Sequence, residues 1–186
     1  MAIRIKSKWS KTVKRDKTSE DFASALSYIG WRLALDKARN LHGEDFEYTS
    51  DHQRITVIVE FMSFQVHLAD RLLFSDDHPE KFRNDVMNKI GSHSARTMQE
   101  NCEDLFGPGD YRTGYIKTLN LRSGEYSTYE FNPGDSNYSI YRHLAKKIQD
   151  AMGLSQTNKW VMDQIVDIDA VEMCKKFVEV YNSLMR

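Results

Sequence analysis

Cysteine is scarce in this chain of 186 residues: Cys102 and Cys174 are the only two, and no Cys-x-x-Cys occurs. Two distant thiols make a poor disulfide framework, so a reducing, cytoplasmic setting is the simpler expectation. Long apolar runs are missing as well. The uncharged apolar stretches, Phe61 to Ala69 among them, fall far short of the roughly 20 residues of a membrane-spanning helix. The first residues, MAIRIKSKWSKTVKRDK, are cationic, but no apolar segment of the kind that makes a secretory signal follows them. No membrane partner is expected.

The templates of several chemistries are also lacking. Neither Gly-x-x-x-x-Gly-Lys nor Gly-x-Gly-x-x-Gly is present, so no phosphate-cradling loop is legible. No Gly-x-Ser-x-Gly elbow is present. Ferritin-like di-iron sites need two Glu-x-x-His pairs, and there are none. His-Glu-x-x-His is absent, and no two of the histidines at 42, 52, 67, 78, 93 and 143 are spaced by four. Glu44-x-x-Glu47 followed by Glu60-x-x-Ser63 is similar to the carboxylate pattern of the all-helical nucleotide pyrophosphohydrolases, which holds Mg²⁺ through Glu-x-x-Glu and Glu-x-x-Asp. Ser63 stands where that pattern requires Asp, and the family is not assigned. Without a catalytic template the expectation leans away from an enzyme, and no cofactor is named.

What is present suits one globular domain. Charged residues are 28% of the chain and the formal net charge is −1. The charge is uneven: residues 1–17 carry seven Lys or Arg and only Asp16 as an acid. A basic N-terminal arm (1–17) on a single acidic helical-bundle domain (18–186) could meet nucleic acid, or could lie on its own body or a neighbouring subunit's.

Periodicity gives the helices. Thr18-Ser19-Glu20-Asp21 starts the first one, and Gly43 stops it. The second begins near Ser50-Asp51 and is apolar on most faces to about residue 74, which suits the centre of a bundle. A third starts at His78-Pro79 and ends before Gly107-Pro108-Gly109, with Gly91-Ser92 as a point where it could kink or split. Residues 115–131 hold two β-prone runs around Ser123-Gly124 and read as a hairpin. Helices resume at about 136–152, 157–166 and 170–184, with Asp169 and Glu172 resembling the capping box of the last. The expected fold is mainly α: a bundle of five to six helices with one inserted β-hairpin at about 115–131.

Two sets of residues are candidates for function. Glu60, Ser63, His67 and Asp70 form a polar stripe on the central helix, with Arg32 and Asp36 on a stripe of the first helix as candidate partners. If the stripe faces inward, it could bind a small polar ligand, or a metal through Glu60 and His67. If it faces solvent or meets arginines, it is structural. The second set is an interaction surface of Tyr115, Tyr126, Tyr129, Tyr138, Tyr141 and Arg142, since tyrosine offers stiff amphipathic contact area. The alternative is that these rings glue a thin hairpin to the bundle. The functional expectation is a non-enzymatic binding or assembly module, with a homo-oligomer as one form. Small-ligand or metal binding at the 51–74 helix is the alternative. Nucleic-acid binding through the basic arm is a weaker one, because the body is acidic.

Overall fold

Helix α2 (Asp51–Ser75) is the axis of the fold. The computed structural model describes residues 18–43, 46–133, 137–153, 155 and 158–185, so the basic arm and Glu44 lie outside the described residues. Ser50 caps α2 by accepting a hydrogen bond from the Gln53 amide at 3.2 Å. From Val57 to Ala69 only Val59 is not buried. Burial on almost every face requires neighbours on every side, and α2 packs on α1, α3, α4, α5 and α7.

Helix α1 (Ser19–Gly43) starts on a reciprocal cap. The Asp21 amide donates to Thr18 Oγ1 at 3.2 Å, and the Thr18 amide donates to Asp21 Oδ2 at 2.9 Å. Helix α3 (Glu80–Phe106) runs unbroken through Gly91-Ser92. A Cβ at residue 91 would lie 3.9 Å from Leu119 Cδ2, so this glycine sits where α3 meets α4 rather than at a kink. Gly107 ends α3 with a φ of 86°, a left-handed conformation that glycine adopts freely.

The expected hairpin is absent. Residues Tyr111–Tyr126 form helix α4, and no strand occurs among the described residues. Two effects override the β-prone residues. First, the start of the helix is pinned. Asp110 accepts from the Thr113 amide at 3.0 Å, and Gln99 Oε1 on α3 accepts from the Tyr111 and Arg112 amides at 2.9 and 2.8 Å. Second, Tyr115, Leu119 and Tyr126 are buried on one face at helical spacing. Burying three large side chains outweighs the roughly 1 kcal/mol that each of Gly114 and Gly124 costs within a helix. Ser123-Gly124, read as a turn between strands, falls in the last turn of α4.

Helix α5 (Tyr138–Met152) carries a clean apolar stripe of Ile140, Tyr141, Leu144, Ala145, Ile148 and Met152. The chain then forms α6 (Val161–Gln164), a π-helical turn (Ile165–Asp169) and α7 (Ala170–Met185) without interruption. The expected cap at Asp169 is therefore corrected. Asp169 lies within helical backbone, and its carboxylate accepts from Lys37 of α1 at 2.9 Å. Both cysteines are free and buried, and burial pushes both thiols up, away from the reactive thiolate.

Candidate functional site

The polar stripe of α2 faces inward. Glu60, Ser63 and His67 are buried, and Asp70 at the end of the stripe is half-buried. Glu60 and His67 meet α4 and Asp70 meets α3, none of them the first helix, while the buried Ser63 hydroxyl has no hydrogen-bond partner among the described residues. Arg122 on α4 grips Glu60 with both prongs, Nε to Oε2 at 2.6 Å and Nη2 to Oε1 at 2.7 Å. The remaining Arg122 nitrogen, Nη1, donates to Glu125 at 3.1 and 3.2 Å. Glu125 also receives Lys147 at 3.0 Å and meets His143 Nε2 at 3.0 Å. His143 Nδ1 meets the Tyr129 hydroxyl at 3.1 Å. The result is one chain of charge from Glu60 in the core to Lys147 and Tyr129 at the edge of α5. Desolvation pushes the Glu125 carboxyl up, but the hydrogen bonds from Lys147 and His143 and the Arg122 and Lys147 charges outweigh it and hold the carboxyl low.

Aromatic rings close the space around this chain. His67 stacks on Tyr126 with ring centroids 5.3 Å apart, and Tyr126 meets the edge of His143 at 5.1 Å. Phe64 packs on Tyr126 and Tyr141. Asp70 takes a two-pronged grip from Arg83 of α3 at 2.7 and 2.8 Å. Both oxygens of Glu60 are thus engaged by an arginine rather than turned toward an ion. Among the described residues, no group of three or more His, Cys, Asp or Glu side chains could hold a metal. Arg32 and Asp36 are exposed on α1, and Arg32 lies over Tyr28 of its own helix.

The tyrosines divide by burial. Tyr115, Tyr126 and Tyr141 are core side chains, Tyr129 is half-buried, and only Tyr138 and Arg142 are exposed. With the hairpin replaced by α4, these rings cement α4 and α5 onto α2. Sequence reasoning missed Glu125, His143 and Lys147 as a set. The available signal was their helical spacing: His143 and Lys147 are four residues apart, and Arg122 and Glu125 are three apart.

Burial lowers the pKa of His67 to about 4, with the Arg71 charge adding to the effect. The imidazole is therefore neutral in the fold, while in the unfolded chain it takes up a proton near pH 6.5. Between those values the unfolded state binds more protons, so stability falls as pH drops from about 6.5 to 4. Urea unfolding across this range should show His67 contributing a loss of about 2–3 kcal/mol. His67→Phe keeps the stacking on Tyr126 and should flatten this part of the profile. A variant that loses stability as steeply as the parent would refute the assignment.

A second feature lies at the other end of α2. An open groove of about 700 Å³ runs between the C-terminal half of α1, the start of α2 and the end of α3. Trp31, Leu35, Ala38, Ile55, Ile58 and Leu105 give it apolar walls. Charges of both signs surround them, Arg39 and Arg54 against Asp51 and Asp104, with the His42 ring beside them. The His42 ring lies parallel to Tyr48 at 5.8 Å, and Arg54 pairs with Asp51 at 2.7 Å. Also on α1, Lys37 is almost fully buried and bridges Asp169 at 2.9 Å and Glu172 at 2.6 Å. Burial opposes the Lys37 charge, but the two carboxylates outweigh it and hold the ammonium on. Burial also pushes the Asp169 carboxyl up, against the pull of Lys37. No helix among the described residues is long and apolar enough to cross a membrane. Comparison with known proteins finds no matching family model, no matching curated protein and no matching solved structure.

Proposed function

We propose that this chain is a binding module that holds a small amphipathic molecule in the α1–α2–α3 groove. The observation that carries this reading is the groove itself. Its volume of about 700 Å³ lies within the roughly 300–1,000 Å³ of small-molecule sites, and it combines apolar walls with a few charged groups. The central polar stripe offers a ligand much less. Its carboxylates are gripped by Arg122 and Arg83, and Tyr126 fills the space beside His67. This keeps the binding function on α2 but moves it from the middle of the helix to its first two turns.

The groove suits a molecule with an apolar body and a charged end, because its rim can meet either sign. The test uses the dye 8-anilinonaphthalene-1-sulfonate, which has both features. Saturable binding at about one site per chain is expected. The substitution Ile55→Trp places a large ring in the groove and should weaken binding at least tenfold while cooperative unfolding persists. Light scattering on the same samples tests whether a second copy covers the groove instead. Absence of saturable binding, or binding unchanged by Ile55→Trp, would overturn the reading.

A further inference from the structure

The α1–α2 crossing contains a small, mostly apolar cleft with a few polar groups on its wall, apart from the charge chain and sharing only Trp31 with the groove. Gln65 on α2 is 2% exposed and reaches toward α1. Its amide nitrogen donates to the Gly30 carbonyl at 3.0 Å and to the Phe61 carbonyl at 3.2 Å. Two carbonyl partners fix which way the amide faces, because a reversed amide would set oxygen against oxygen. Its oxygen, Oε1, is therefore directed away from both carbonyls, and it has no hydrogen-bond partner among the described residues. The buried hydroxyl of Ser27 on α1 has none either. Both residues line one cleft of about 10 Å³, together with Gly30, Ser94 of α3 and a surround of apolar side chains.

These features coincide in a way that bare packing does not explain. A buried amide oxygen and a buried hydroxyl are costly to leave unpaired, and evolved cores rarely tolerate two in one place. The cleft is about the size of the space that one water needs, and far too small for an organic ligand. It also has the polar groups that a buried water requires, namely an acceptor at Gln65 and a hydroxyl at Ser27 that both donates and accepts. Gly30 keeps the site open. A Cβ there would lie 3.6 Å from Gln65 Oε1 and would begin to cover it.

We infer that this cleft is a binding site for one structural water, which donates a hydrogen bond to Gln65 Oε1 and exchanges another with Ser27 Oγ. The water ties α1 to α2 beside Ser94 of α3. It sits behind Trp31, which also forms a wall of the groove.

Two measurements on the full chain test the site. A crystal structure at high resolution should show a well-ordered peak about 3 Å from both Gln65 Oε1 and Ser27 Oγ. Oxygen-17 relaxation dispersion counts long-lived internal waters in solution, and the double variant Ser27→Ala with Gln65→Met should have one fewer than the parent. No peak between the two atoms would overturn the proposal, as would a peak that persists in the double variant. If the double variant folds poorly, the density in the parent protein decides alone.

Discussion

Replacing Arg122 with methionine is expected to destabilise the protein by about 3–5 kcal/mol, the cost of breaking a buried ion pair from one side. The Glu60 and Arg122 side chains are only 4% and 14% exposed, so little solvent is available to take over when the guanidinium is removed. The Glu60 carboxylate would be left charged in the core or forced to take up a proton. Either outcome weakens the fold by a large fraction of the 5–15 kcal/mol typical of a domain. Urea unfolding followed by circular dichroism should show the loss as a lower midpoint with an unchanged slope. The double variant Glu60→Leu with Arg122→Met discriminates between mechanisms. Apolar replacement of a whole buried pair is often close to neutral, so most of the lost stability should return. If the double variant is as unstable as Arg122→Met, the loss comes from packing rather than from an orphaned charge. Glu125 is less exposed to this effect, because His143 and Lys147 still hold it when Arg122 is gone.

The second large effect is at Lys37. The substitution Lys37→Met is expected to cost about 3 kcal/mol near neutral pH, because Asp169, only 2% exposed, loses its cation. Glu172 is more than half exposed and should contribute little, since water takes over its solvation. The cost should depend on pH. Burial raises the Asp169 carboxyl even with Lys37 in place. Without Lys37 that rise is larger, and the fold then prefers a protonated Asp169. A group whose folded pKa is raised gives stability at low pH that is lost as pH climbs through that pKa. The deficit of Lys37→Met should therefore be small in acid and grow toward neutrality. Hydrogen exchange gives a local check. Amides of the π turn, Ile165–Asp169, should exchange faster in the variant, because Lys37 is the α1 anchor of that turn. A deficit independent of pH, or unchanged exchange in the turn, would show that Asp169 is not the group left exposed.

Both effects arise from pairs that join distant parts of the chain, and neither pair is visible as a motif. Glu60 and Arg122 are 62 residues apart, and Lys37 and Asp169 are 132 apart. Sequence reading singled out Glu60 and His67 from their helical register and asked whether the stripe was buried. It could not choose their partner. It paired the stripe with Arg32 and Asp36 of α1, whereas the structure pairs it with α4, a segment read as a hairpin. The error in secondary structure and the error in partner have one source. A hairpin at 115–131 gives Arg122 no helical face from which to reach α2.

The sequence by itself determined most helices, where they start, and which helix is central. It could do so because those features are local. The Thr18–Asp21 and Ser50 caps act within three residues, and an apolar stripe repeats every three or four. Tertiary structure alone decided the state of residues 111–126, the partners of the buried charges and the position of the groove. In α4 the intrinsic preference for strand is worth tenths of a kcal/mol per residue. Burial of Tyr115, Leu119 and Tyr126 is worth several kcal/mol in total, and that burial exists only once α2, α3 and α5 are in place to receive them. Likewise, the polar stripe of α2 became structural because Arg122 came within reach of Glu60. The groove belongs to the ends of three helices that no short-range signal places side by side.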